Sequence, residues 1–177
     1  MKTLRLIFLL IPCLFAASRA HALPSFARQT GEDCAACHVG SYGPQLTPHG
    51  IAFKMGGYTD SNGKEGNVPL SAMLVEGFTH TNKDLSTDAQ PHFGKNDNLS
   101  LQELSVFLAG RVNDHIGGFA QVTGNDFDRK FMMDNMDLRL VDNRQIGGKE
   151  LTYGLSINNN PTVQDPFNTL NAWKFPY

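Results

Sequence analysis

Cysteine is too scarce in these 177 residues for a disulfide framework: there are three, and one of them, Cys13, lies inside the apolar N-terminal run. Only Cys34 and Cys37 remain beyond it. Equally absent is an apolar stretch of the about 20 residues that a membrane-spanning helix needs. Excess positive charge is missing too, with 15 basic residues against 17 acidic ones. Phosphate binding needs a concentrated positive face, so nucleic acid is excluded as an expected partner.

What is present begins with an export leader. Residues 1–22 have a charged start (Lys2, Arg5), an apolar core from Leu6 to Ala17 broken by Pro12, and a small-residue site at Ala20-His21-Ala22. This is the pattern of a secretory signal peptide, with the mature chain expected to start at Leu23 and an uncleaved anchor as the alternative. Cys13 lacks the small residues before it that a lipid-anchor site requires. Cleavage would remove Lys2, Arg5 and Arg19, leaving 12 of the 15 basic residues against 17 acidic ones, a formal charge of −5.

The chemistry sits in Cys34-Ala35-Ala36-Cys37-His38. Cys-x-x-Cys-His is the attachment pattern of c-type haem. Two thiols one turn apart can each add to one vinyl group of the porphyrin, and the next imidazole then reaches the iron. Ala35 and Ala36 are small enough to admit the porphyrin edge. A redox dithiol or half of a zinc site shares the two cysteines. The first would need a surrounding βαβ pattern and the second further cysteines or a spaced histidine pair, and neither is present. One covalent haem c, bound by Cys34 and Cys37 with His38 as axial ligand, is therefore expected.

Several residues compete for the second axial position. Thr47 to Gly57 reads as a two-turn helix, with Thr47 as N-cap, Pro48 at the first helical position and Gly56 ending it. Ile51 and Met55, four apart, share one apolar face, and Met55 is the leading candidate for a distal ligand. Core filling is the ordinary use of such a methionine. His49, Met73, His80 and His92 are rivals, as is an open coordination position. His115, in Asn113-Asp114-His115, is expected in a turn.

Three segments follow: the leader 1–22, a haem segment 23–67 with short helices, and a β region 68–177. The haem segment, about 45 residues long, is near the size below which a domain needs a metal, a disulfide or outside support, so it should lean on the rest of the chain. Beyond Pro69 the pattern changes to period two. Leu104, Val106, Leu108 and Val112 alternate with Glu103, Ser105, Phe107, Ala109 and Arg111, Asn113-Asp114 makes a tight connection, and Ile116 to Thr123 completes a hairpin. Met136-Leu138-Leu140 and Leu151-Tyr153-Leu155-Ile157 repeat the alternation. Leu70 to Thr81 is strand-like with Glu76 and His80 interrupting one face. The fold class is thus α+β, with five antiparallel amphipathic strands of a length that suits a tilted outer-membrane strand. A soluble sheet packed on one face gives the same alternation. However, no helices are available to cover the apolar face, and charges occur mid-strand on the other. Five strands cannot close, because the smallest bacterial barrels have about eight. The terminal Trp173-Lys174-Phe175-Pro176-Tyr177 makes a poor strand.

The run Leu23-Pro24-Ser25-Phe26-Ala27-Arg28-Gln29-Thr30-Gly31, then Cys34-Ala35-Ala36-Cys37-His38, Leu46-Thr47-Pro48 to Phe53-Lys54 and Gly57-Tyr58 resembles the fused cytochrome-porins of the bacterial outer membrane. Leu104 to Val112 and Leu155 to Pro166 are similar to that group's relatives as well. The best known members are iron oxidases, with one haem c domain ahead of a full barrel. The resemblance implies a truncated member with Cys34, Cys37 and His38 in their haem roles; relatives often carry leucine at the position of Met55. It implies a one-electron carrier, rather than a substrate-specific enzyme, at the outer membrane, or alternatively in the periplasm. Electrons would pass from an external donor such as ferrous iron to a periplasmic redox protein, with outer-membrane lipid around the strands. Two further readings stay open: a peroxidase-like haem enzyme using His49 as acid and base, and a porin with structural haem.

Overall fold

The computed structural model describes residues 24–41, 45–64, 66–160 and 164–167. The expected leader, the mature start at Leu23 and the terminal Trp173 to Tyr177 lie outside the described residues. Helix α1 (Pro24–Thr30) opens with proline at its first position and stops at Gly31, whose φ of +79° is a conformation that costs glycine least. Helix α2 is the single turn Cys34–Cys37, followed by a 3-10 turn over Val39–Ser41. Helix α3 (Pro48–Met55) has the expected boundaries: Thr47 Oγ1 accepts from the Gly50 amide at 3.2 Å, and Gly56 caps the far end.

Five strands follow: β1 (Leu70–Thr79), β2 (Asn98–Arg111), β3 (Ile116–Gly124), β4 (Phe131–Ile146) and β5 (Lys149–Asn158). They pair in sequence order as an antiparallel meander that does not close, so β1 and β5 are its edges and run in the same direction. Each expected segment corresponds to a strand, though β1 stops at Thr79 short of the expected Thr81, β2 stops at Arg111 short of Val112, and β4 is much longer than the alternation of Met136 to Val141 suggested. Connections differ by end. Residues 112–115 and the pair Gly147-Gly148 make short turns at one end, while 80–97 and 125–130 make longer loops at the other. Gly147 and Gly148 both have positive φ, which a two-residue hairpin turn of matching twist requires.

The sheet is inside out relative to a soluble one. Its apolar face bears Leu74, Phe78, Leu99, Leu108, Leu155 and Ile157, each more than half exposed. Its polar face is buried: Ser105 and Asp137 have no accessible surface, Gln121 has 2% and Arg139 8%. A soluble sheet packs the apolar face and wets the other, and this one does the reverse. The helical segment lies on the polar face near the short-turn end. Arg28 donates to the carbonyls of Val68 and Leu70, and Gln29 bridges the carbonyls of Tyr58 and Asp60 to the Arg111 amide. The segment thus leans on the sheet, as its size requires. At Gly117 the chain of α3 comes so close that a Cβ would sit 2.4 Å from the Gly57 carbonyl oxygen. No helix among the described residues is long and apolar enough to cross a membrane.

Candidate functional site

Helix α2 and the residue after it carry the cysteine-histidine motif. Cys34 and Cys37 are both half-buried and neither is in a disulfide. The His38 amide donates to the Cys34 carbonyl at 2.8 Å, so the imidazole follows the turn directly. His38 then pairs with Leu46 as an isolated antiparallel bridge, flanked by amide bonds from Val39 to Gln45 and from Thr47 to Cys37. Thr47 Oγ1 donates to the Ala36 carbonyl at 2.5 Å while capping α3. Helix α3 rests against this turn at Gly50, where a Cβ would meet the Cys37 carbonyl oxygen at 2.2 Å. Any larger residue at position 50 would push the two helices apart.

This donor set fits a c-type haem. Two half-buried cysteines one turn apart precede an imidazole whose Nδ1 is shielded from solvent. Burial holds the Cys37 thiol above its ordinary pKa, with Glu32, Cys34 and Asp60 adding to the effect. The candidates for the second axial position are dispersed. Helix α3 buries Gly50, Phe53 and Lys54, whereas Met55 is 43% exposed. The face expected to be shared by Ile51 and Met55 is therefore not the packed one. His49 is exposed beside the motif, with its Nε2 2.6 Å from Glu32 Oε2. Met73 lies on β1 opposite Ser105. His80 and His92 lie in the long-loop end, opposite the helical segment, with His80 Nδ1 2.6 Å from Asp97. His115 sits in the turn before β3, as expected.

Beneath the motif lies an anchor that sequence reasoning missed. Phe26, Phe53 and Tyr58 pack as a triangle with ring centroids 5.2 to 5.6 Å apart, and Phe119 of β3 meets Tyr58 edge-on at 6.1 Å. The Tyr58 hydroxyl donates to Asp137 Oδ2 at 2.7 Å, and Arg139 Nε donates to the same oxygen at 2.8 Å. Ser156 donates to the other carboxylate oxygen at 3.1 Å. The Arg139 guanidinium also lies over the Tyr58 ring, 5.7 Å from its centroid, and reaches the Lys54 carbonyl. Burial, followed by the Asp137 charge, raises the Tyr58 pKa well above its ordinary value. Burial lowers that of Lys54 to about 8, with the Arg139 charge acting in the same direction and Asp137 and Asp165 opposing it. The signal available in the sequence was Asp137 and Arg139 themselves, two opposite charges two apart on one face of a strand.

One further grouping emerges. Sγ of Cys37, a ring nitrogen of His49 and a carboxylate oxygen of Glu32 lie within 4.8 Å of one another. No protein-family model, curated protein or solved structure matches the chain. The likeness to cytochrome-porins accordingly rests on the residues that carry it.

Proposed function

We propose that this chain is an exported c-type cytochrome that carries single electrons at the outer membrane. The observation that carries the reading is a Cys-x-x-Cys-His turn in a helical segment that is anchored, through Gln29 and Tyr58, to the buried polar face of a sheet whose apolar face is exposed. When bound, haem supplies iron that cycles between ferrous and ferric states. The chain does the rest. Cys34 and Cys37 would hold the haem as thioethers, each thiol adding across one vinyl group with its sulfur bonding one carbon and its hydrogen passing to the other, with no net oxidation. His38 would hold the iron, with Met55 as the candidate for a second ligand. The Gly50 contact keeps α3 against the haem-bearing turn.

The sheet's polarity supports an outer-membrane setting, because barrel strands face lipid with apolar side chains and the lumen with polar ones. The helical segment lies at the short-turn end, the periplasmic end in such barrels. A periplasmic redox protein would then be the direct acceptor, and an external donor such as ferrous iron would reach the haem from the long-loop side.

Expression with a complete cytochrome maturation system tests the reading. A mass increase of one haem and a six-coordinate low-spin spectrum are expected; Cys34→Ala and Cys37→Ala should each weaken covalent attachment, and His38→Ala should abolish the normal redox transition. Bare thiols after such expression would end the proposal. The His49–Glu32 pair favours one alternative, a haem enzyme with an open iron site and an acid-base residue. Carbon monoxide binding to the reduced protein at neutral pH would select it.

A further inference from the structure

We propose that, before haem is attached, Cys37, His49 and Glu32 form a binding site for a divalent transition metal of the zinc type. The donors are one sulfur, one nitrogen and one oxygen, the mixed set that zinc accepts with a fourth position open to solvent. A tetrahedral zinc with bonds of about 2.0 to 2.3 Å separates its donors by roughly 3.3 to 3.8 Å. The three atoms already lie within 4.8 Å, so small side-chain rotations bring them to that spacing.

The three residues come from different pieces of chain held in fixed relation. Glu32 precedes α2, Cys37 ends it, and His49 stands in the first turn of α3. The Gly50 contact and the bonds of Thr47 to the α2 backbone fix α3 against Cys37. Glu32 and His49 are side by side at 2.6 Å and exposed, which leaves the fourth position to water. Cys34 belongs to the same motif but not to this group.

Thioether formation at Cys37 would remove the thiolate, so metal and covalent haem exclude each other. That exclusion rests on the cytochrome reading; the metal site itself does not. The test is a titration of the full chain, produced without haem attachment, reduced and metal-free, with cobalt(II) as optical probe and zinc(II) as competitor. One equivalent should bind with a thiolate-to-cobalt charge-transfer band. Cys37→Ser should abolish the band, and His49→Ala and Glu32→Gln should each weaken binding by about tenfold or more. Cys34→Ser should leave it within about twofold, as expected for a residue outside the donor set. Because Glu32 and His49 are exposed, their variants keep the fold, and an unchanged circular dichroism spectrum checks it. Absence of the band, or equal dependence on both cysteines, overturns the proposal. Undiminished cobalt binding by the haem-loaded protein overturns the exclusion. A chain that binds cobalt through Cys37 yet never acquires haem refutes the cytochrome reading and leaves the metal site standing.

Discussion

At the residue scale, Asp137 joins the helical segment to the sheet. Its carboxylate is fully buried, and Tyr58, Arg139 and Ser156 all donate to it. Removing a donor and removing the acceptor should differ in size. Tyr58→Phe takes one hydrogen bond from a charged group, and equilibrium urea unfolding should register a loss of about 1.5 to 3 kcal/mol. Asp137→Ala removes the buried carboxylate on which Tyr58, Arg139 and Ser156 converge, and the same measurement should lose about 3 to 5 kcal/mol. Lys54 gives a pH signature. Its folded pKa of about 8 lies below the ordinary 10.5, so between those values the unfolded chain binds more protons. The Lys54 contribution to stability should therefore grow as pH increases from about 8 to 10.5, against the opposite contributions of Cys37 and Tyr58, and comparison of Lys54→Met with the parent should isolate it. The cysteine-histidine motif was legible in the sequence because its residues are consecutive. The Asp137 anchor was not, because Tyr58 and Asp137 lie 79 positions apart and only the strand register brings them together.

At the element scale, the strands were legible wherever one face is apolar and the other polar. Period two found β2, β3 and β5 closely, but it stopped at Val141 in β4. From Asp142 to Gln145 both faces are polar, so alternation vanishes although the ladder with β5 continues to Ile146. The Gly147-Gly148 pair was the remaining cue to that hairpin. Periodicity alone could not say which face is covered, since burial of either gives the same alternation. The exposed apolar face has a direct consequence for substitution. Leu138→Arg, on that face of β4 between Gly118 and Ile157, should cost about 2 to 4 kcal/mol if lipid lies against it. In water the same change should stay within about 0.5 kcal/mol. Unfolding in lipid vesicles decides between these, and equal stability of variant and parent there would remove lipid as the neighbour of this face.

At the scale of the whole molecule, the two ends of the sheet are unlike. The short turns and the helical segment share one end, and the loops 80–97 and 125–130 share the other. In the outer-membrane reading a membrane-impermeant maleimide applied to intact cells should label Asp88→Cys, in the long loop, and spare Gly148→Cys, in the short turn. Labelling of the turn instead would reverse the assigned orientation and turn the helical segment toward the exterior. A further consequence comes from the parity of the strands. Because β1 and β5 travel the same way, identical copies arranged around an axis would meet with their borders aligned in parallel, interrupting the alternation at every seam. Pairing copies border to border about a two-fold axis through the sheet would restore alternation but point their helical segments in opposite directions. An uninterrupted cylinder with one orientation therefore calls for an odd complement of additional, non-equivalent strands. In the outer-membrane reading this sheet would be an arc of an asymmetric wall and not a repeating stave.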